Sequence, residues 1–331
     1  MKKVTLKDIA EKVGVSKATV SMVLNNKDIN VSESTRDKIL KTVKELNYIP
    51  NSVARSLSTN KSNTIGIILP DIENSFFSEV ARAIEDVASS SNYNVIFCNT
   101  DNKKEKEEQY IKLLISKLVD GIIFLTGAYS SDNIKILKSN NIPFVLVDRY
   151  VENPKEVNGV YCLNEKGVEL GMDYLLNKGK KRIAFVTGPM NLNISKQRLQ
   201  GYINAMTKAN LYNEDFVFEG DFTTDGGIDL TKEILKSNIK LDAIFYGNDA
   251  MALGGIKVLI REGYKIPEDI SVMGFDNVKI SSFIQPELTT VSQPIYDMGR
   301  AACTLLIDSI DDKTINKQIY FQPELVIRDT V

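Results

Sequence analysis

The spacing of apolar and polar positions changes once along the chain, near residue 63. Before that point the apolar residues recur at helical intervals. Ile9, Ala10 and Val13 share one face of a first short helix, and Val20, Val23 and Leu24 recur at i, i+3, i+4 on a second. Ile39, Leu40, Val43 and Leu46 form the buried stripe expected of a third helix over residues 33–46. The polar punctuation agrees. Thr5 and Asp8 have capping-box spacing, and Ser16 and Ser32 stand at N-cap positions. Gly14 sits where the chain must turn, because a residue without Cβ takes positive φ at little cost. After residue 63, short apolar runs alternate with amphipathic stretches. Strands are expected at 64–69, 94–99, 121–125 and 143–147, with helices between them at 77–91, 104–118 and 132–140. The alternation then restarts, with strands at 182–187, 216–220, 243–246 and 270–274 and helices at 165–178, 195–209, 226–237 and 250–262.

Short apolar strands alternating with helices predict parallel sheets covered on both faces, and two such series in tandem predict two similar lobes. The fold class is therefore α/β, with a small all-α head ahead of a two-lobed body. Residues 296–310 place Met298, Ala301, Leu305 and Ile310 on one face and return the chain to the first lobe. The run 319–327 is expected to add an edge strand to the second lobe. Between head and body, Tyr48-Ile49-Pro50 closes the third helix, NSVARSL at 51–57 reads as a short helix, and STNKSN at 58–63 as a linker.

Charge sharpens the picture of the head. Residues 1–61 hold 12 basic and 6 acidic side chains, a net of +6, whereas the whole chain is −2 and the remainder therefore −8. Only the head is built to meet phosphate. Two short helices joined through a glycine turn suggest a helix-turn-helix, whose second helix enters the DNA major groove. Other function classes recede. The chain has no histidine, which removes His-based triads and His metal sites. It has no P-loop, GxSxG, GxGxxG or zinc-ligand spacing. No catalytic residue, metal or cofactor is expected, and the protein is not expected to be an enzyme. Cys98, Cys162 and Cys303 are far apart in apolar contexts and read as buried thiols of a reducing cytoplasm. The start, MKKVTLKD, lacks the apolar core of a secretory signal, and no apolar run approaches the roughly 20 residues of a membrane helix.

Ligands of open α/β sheets bind outside the carboxyl ends of the strands. In this chain those ends carry Asp71, Asn74, Phe76 and Phe77 after the first strand and Asp148-Arg149 after the fourth. The second series carries Arg198 on the helix after its first strand, then Phe222, Asn248-Asp249, Asp276, and Gln293 after TTVSQ. A sugar needs this mixture: its C–H faces stack on aromatic rings, and its hydroxyls both donate to carboxylates and accept from Arg and amides. The same residue types also have structural uses, since strand-end Asp and Asn cap helices and Phe76 or Phe77 could fill a core. Paired carboxylates such as Asp148 and Asp276 could serve a glycosidase, but they suit a binding cleft better.

VSKATVSMVLNN, followed by TRDKILKTVKELNYIPNSVARSL, resembles the DNA-binding head and hinge of the LacI/GalR family of bacterial transcription regulators, and the likeness runs through essentially the whole chain. The resemblance implies a helix-turn-helix head over 1–48, a hinge helix and linker over 49–61, and an effector-binding and dimerising body over 62–331. That body would be periplasmic-binding-protein-like, with a first lobe of about 62–161 and 291–319 and a second of about 162–290 and 320–331. Lys17, Ala18 and Met22 would face base edges, while Ser16, Thr19, Ser21 and Asn25 touch phosphate or cap the helix. Thr5 and Tyr48 join that surface. Met22 departs from the many relatives with Arg there; Arg binds guanine bidentately and Met cannot. The hinge would fold only when two hinges pair on DNA, with Leu57 wedged into a minor-groove step and Asn51, Ala54 and Arg55 beside it.

In the body, NSFF, VDR, Arg198, Phe222, Asn248, Asp276 and Gln293 resemble ribose- and related sugar-binding periplasmic proteins and the sugar-responsive members of the family. This implies a monosaccharide effector, with a pentose such as ribose the first expectation. PDIENSFFSEVARAIEDVA, GDFTTDGG and QPIYDMG also resemble the catabolite-control regulators, whose co-effector is a seryl-phosphorylated phosphocarrier protein. Tyr296 matches their partner surface, but Thr304 stands where an Arg, the natural anchor for a phosphoserine, is expected. A purine or nucleoside effector is the remaining alternative. The chain ends at Val331 without a leucine-heptad tail, so a homodimer rather than a tetramer is expected, acting on a pseudo-palindromic double-stranded operator. The expected whole is a cytoplasmic, nucleoid-associated repressor of carbohydrate genes, controlled by a small sugar.

Overall fold

Capping residues fix the first three helices. In this computed structural model, which describes residues 4–25, 31–49, 61–125, 131–149, 157–237, 239–312 and 316–331, the chain divides into two units, Met1–Ser62 and Asn63–Val331. In the first unit, α1 (Leu6–Val13) begins at a Thr5–Asp8 capping box and ends at Gly14, whose φ of 78° lies in the left-handed region. Helix α2 (Lys17–Leu24) starts at Ser16, whose hydroxyl accepts from the Thr19 N–H at 3.0 Å. Helix α3 (Glu33–Glu45) starts at Ser32 in the same way. Their core is Ile9, Ala10, Val20, Val23 and Ile39, with Val13, Leu24, Val43, Leu46 and Tyr48 packed around it. Leu40 corrects the sequence-based stripe. It is exposed, and Thr42 is buried instead, so the inward positions are 39, 42, 43 and 46, the true i, i+3, i+4, i+7 series. The hinge helix expected over 51–57 lies outside the described residues.

The second unit holds two six-stranded sheets. The first runs β11-β5-β4-β3-β1-β2 and is parallel throughout: β1 (Thr64–Leu69), β2 (Asn94–Asn99), β3 (Gly121–Phe124), β4 (Phe144–Val147), β5 (Asn158–Cys162) and β11 (Gln318–Phe321). The second runs β12-β10-β9-β8-β6-β7, with β6 (Ile183–Thr187), β7 (Val217–Glu219), β8 (Ala243–Tyr246), β9 (Ser271–Asp276), β10 (Thr289–Ser292) and β12 (Glu324–Val326). Only β12 is antiparallel, against β10. Apolar clusters cover both faces of each sheet, which is why the strands read as unbroken apolar runs rather than alternating ones. The helices are α4 (Ser75–Ser90), α5 (Lys104–Ser116), α6 (Ser131–Ser139), α7 (Asn164–Asn177), α8 (Asn193–Lys208), α9 (Thr224–Lys236), α10 (Asp249–Arg261) and α11 (Ile295–Asp311).

Two features differ from the sequence-based expectation. Strand β5 was not anticipated, because its opening Asn158-Gly159 has the composition of a turn. The run 319–327, expected as one edge strand of the second lobe, is two strands in different sheets. Pro323 separates them: it has no N–H for a ladder, and the chain changes lobes there. The lobes are thus joined three times, after β5, after β10 and between β11 and β12. All three cysteines are buried thiols, as expected, and burial pushes Cys98 up to about 11 and Cys162 and Cys303 up to about 12.

Candidate functional site

In the head, burial of Val20 and Val23 turns one side of α2 inward and presents the other. Lys17, Ala18 and Met22 are exposed on it; Ser21 and Thr19 are half-buried at its border. Ser16 is committed to capping α2, and the Asn25 side-chain amide donates to the Ser21 carbonyl at 2.8 Å, closing the other end. Thr5 is exposed and bonded to Asp8, and Tyr48 packs on the head core. Asn51, Ala54, Arg55 and Leu57 lie outside the described residues.

In the body, all the strand-end residues named above except Asp71 and Asp249 line one cavity: Asn74, Phe76, Phe77, Asp148, Arg149, Arg198, Phe222, Asn248, Asp276 and Gln293, joined by Leu125, Val147 and Ile194. The space between these side chains, open mouth included, is about 410 Å³. Both sheets contribute through the carboxyl ends of their strands, as the α/β rule requires.

Arg198, on α8, is the centre. Its Nε donates to Asn164 Oδ1 at 2.8 Å, one terminal nitrogen donates to the Gly247 backbone carbonyl, and the other lies 3.6 Å from Asp276 Oδ1. The guanidinium also sits 3.8 Å over the Phe275 ring and 5.7 Å from that of Phe222, a cation–π arrangement. Asp276 accepts from Gln293 Nε2 at 2.7 Å. Gln293 Oε1 is buried and, among the described residues, has no hydrogen-bond partner, so it is an acceptor that a ligand hydroxyl or a water can meet. Asn248 caps α10 through its oxygen and donates through its nitrogen to the Phe222 backbone carbonyl at 3.0 Å. Asn74 caps α4 by accepting from the Phe76 N–H, and Phe76 meets Phe77 edge-on at 5.2 Å. The two Phe rings and Asn74 therefore hold structural and lining positions at once.

Burial dominates the electrostatics. It raises Asp276 to about 8, against the lowering pull of Arg198, with Asp249 adding a further upward push. Asp148 is raised by the same cause, opposed by Arg198 and Arg149, while burial lowers Arg149 to about 10. Two Asp and two Arg line the cavity. The backbone is strained at the same place: Asp148, Phe222 and Asp276 have φ of 51°, 67° and 120°, costing about 1–3 kcal/mol each. Such strain persists only where the surroundings over-determine it, and here it aims three lining side chains.

Asn164 was missed by the sequence reading. It opens α7 just beyond β5, donates to Asp148 at 3.1 Å and accepts from Arg198, so one side chain ties a first-lobe carboxylate to a second-lobe guanidinium at a crossover. Its signal, a polar residue at a strand's carboxyl end, was hidden because β5 was. Two other strand-end carboxylates are structural. Asp71 accepts from the Glu73 N–H in a turn. Asp249, raised to about 6 by burial, accepts from Ser281, Thr290 and the Val278 N–H.

Residues 5–51 match the family described as bacterial regulatory proteins, lacI family, and residues 62–325 match periplasmic binding proteins and the sugar binding domain of the LacI family. The chain belongs to the LacI family. It is 38% identical over 325 residues to the catabolite control protein A of Priestia megaterium, covering 98% of this chain and 97% of that protein. It is 39% identical over 327 residues to the ribose operon repressor of Halalkalibacterium halodurans, covering 98% and 96%. Among solved structures, the lac repressor dimer bound to operator and the anti-inducer ONPF superposes with a TM-score of 0.88 at 28% identity, covering 99% of each chain. As a LacI-family member the chain is a DNA-binding transcription regulator whose body has the effector-binding architecture. Among the described residues, no helix is long and apolar enough to cross a membrane, and no cluster of Cys, Asp and Glu could hold a metal ion.

Proposed function

We propose that this LacI-family regulator is a homodimeric repressor of carbohydrate genes, acting in the cytoplasm on a pseudo-palindromic operator and released or engaged by a neutral monosaccharide. The observation that carries the reading is the cavity that joins Asp148, Arg149, Arg198, Asp276 and Gln293 to the rings of Phe76, Phe77 and Phe222. Carboxylates accept from sugar hydroxyls, guanidinium groups donate to them, and aromatic faces cover the C–H surface. The ribose operon repressor among its relatives supports a pentose.

The mechanism is a linkage between two equilibria. A sugar that contacts both lobes favours one arrangement of them, and that arrangement biases whether two hinges pair on DNA. Hinge folding has an ordering cost, so a coupling of about 1–3 kcal/mol changes operator affinity about 5- to 150-fold. In the head, Lys17, Ala18 and Met22 read bases, Thr5, Ser16, Thr19, Ser21, Asn25 and Tyr48 position the helix, and Asn51, Ala54, Arg55 and Leu57 belong to the hinge surface. Leu57→Ala is expected to weaken operator binding while sugar affinity stays intact; unchanged operator affinity contradicts the wedge.

The test is a thermal-shift series on the full chain against pentoses, hexoses, their phosphates and nucleosides. A ligand of the native state raises the apparent melting temperature by mass action. The expected result is a shift with one neutral sugar that disappears in Arg198→Ala. A shift only with nucleosides, or with none of the compounds, contradicts the sugar reading.

A further inference from the structure

Helix α2 presents an unusual reading surface. Its inward side chains are Val20, Val23 and the half-buried Leu24; its exposed ones are Lys17, Ala18 and Met22. Met22 is 41% exposed and belongs to no apolar cluster of the head. A lone exposed methionine on an ordinary surface needs no explanation. On the helix that faces base edges, it decides what can be read.

The chemistry narrows the choice. Neither Ala18 nor Met22 has a hydrogen-bond donor, and the Met thioether is only a weak acceptor. Neither can donate to the N7 and O6 acceptors of guanine or pair with the N7 and N6 groups of adenine, and a thioether accepts only weakly from the N4 donor of cytosine. The one apolar group that the four natural bases display in the major groove is the C5-methyl of thymine. Methionine is unbranched and flexible, so it can lie against that methyl without demanding a fixed geometry. Lys17, at the first position of the helix, supplies the surface's only cation for a guanine or phosphate.

We propose that Met22 reads the C5-methyl of a thymine, so that each operator half-site has an A·T pair beneath this residue, recognised by apolar contact rather than by hydrogen bonds. The inference rests on α2 being the recognition helix, and the experiment separates the two. Operators are first selected with the full-length protein from a random pool of duplexes; failure to enrich any symmetric sequence contradicts the DNA-binding reading itself. Each thymine of an enriched operator is then replaced by 2′-deoxyuridine, which deletes the methyl and leaves every hydrogen-bonding atom in place. The expected result is one thymine per half-site whose replacement weakens wild-type binding about four-fold, and about fifteen-fold when both half-sites are changed, as the burial of one methyl predicts. The same replacement is silent in Met22→Ala. In Met22→Arg, selection turns to guanine at that position, because Arg bonds O6 and N7 bidentately. The proposal is overturned if uridine is silent at every position, if it acts equally in Met22→Ala, or if the wild-type protein selects a G·C pair where Met22→Arg changes the preference.

Discussion

Asp276 concentrates the chemistry of the body in one side chain. It lies at the carboxyl end of β9 with a positive φ, bonded to Gln293 and facing Arg198, and burial raises it to about 8. An acid raised from 3.8 to about 8 keeps its proton in the folded chain over a range where the unfolded chain has lost it. Its contribution to stability is therefore complete below about pH 4 and lost progressively as pH rises to 8. The ligand-free protein should lose stability across pH 5–8, and Asp276→Asn should flatten that part of the curve; equal slopes in melting temperature against pH would contradict the raised carboxyl. Sugar hydroxyls that donate to Asp276 favour its ionised form, so effector affinity should rise over the same window. Asp276→Ala should remove the effector response and keep DNA binding; a mutant that responds normally would show that the cleft is misassigned. These polar residues were legible in the sequence because strand ends carry ligand groups. That Arg198 also bonds Gly247 and Asn164 was not, since those contacts join segments far apart in the chain.

Elements were legible where local signals and burial agreed. Thr5, Gly14, Ser16 and Ser32 define the head helices through capping chemistry that needs no tertiary information. Ser16→Ala should destabilise the head by about 1 kcal/mol, measured by thermal melting of the full chain; a change near zero would mean the cap is redundant. Leu40 was misread because, one residue and about 100° on from Ile39, it falls outside the arc spanned by 39, 42, 43 and 46, whereas Thr42 falls inside it. Strand β5 and the split of β11 from β12 were misread for a related reason: Asn158-Gly159 looks like a turn, and the consequence of Pro323 depends on which sheet the chain enters. These errors hid the crossovers, and with them Asn164. Its two bonds reach charged partners, worth about 1.5–3 kcal/mol each. Asn164→Ala should accordingly weaken the effector at least about ten-fold while leaving effector-free operator binding intact, as compared by titration; loss of operator binding as well would mark Asn164 as purely structural.

At the scale of the whole molecule, the chain separates two tasks by charge and by fold. A head of net +6 meets DNA, and a body of net −8 surrounds a cavity lined by two Asp and two Arg. This division was evident from composition and from the change of hydrophobic period near residue 63. The effector was not, because a ring of Asp, Arg, Gln and Phe suits many neutral polyols. What unites the two units is the proposed linkage, and it is reciprocal: a sugar that changes operator affinity must itself be bound differently on DNA. The most direct measurement is operator affinity of the full-length protein, by fluorescence anisotropy, with and without the sugar that raises its melting temperature. The account predicts a change of about 5- to 150-fold that disappears in Arg198→Ala. Operator affinity that stays the same when the cavity is saturated would contradict it.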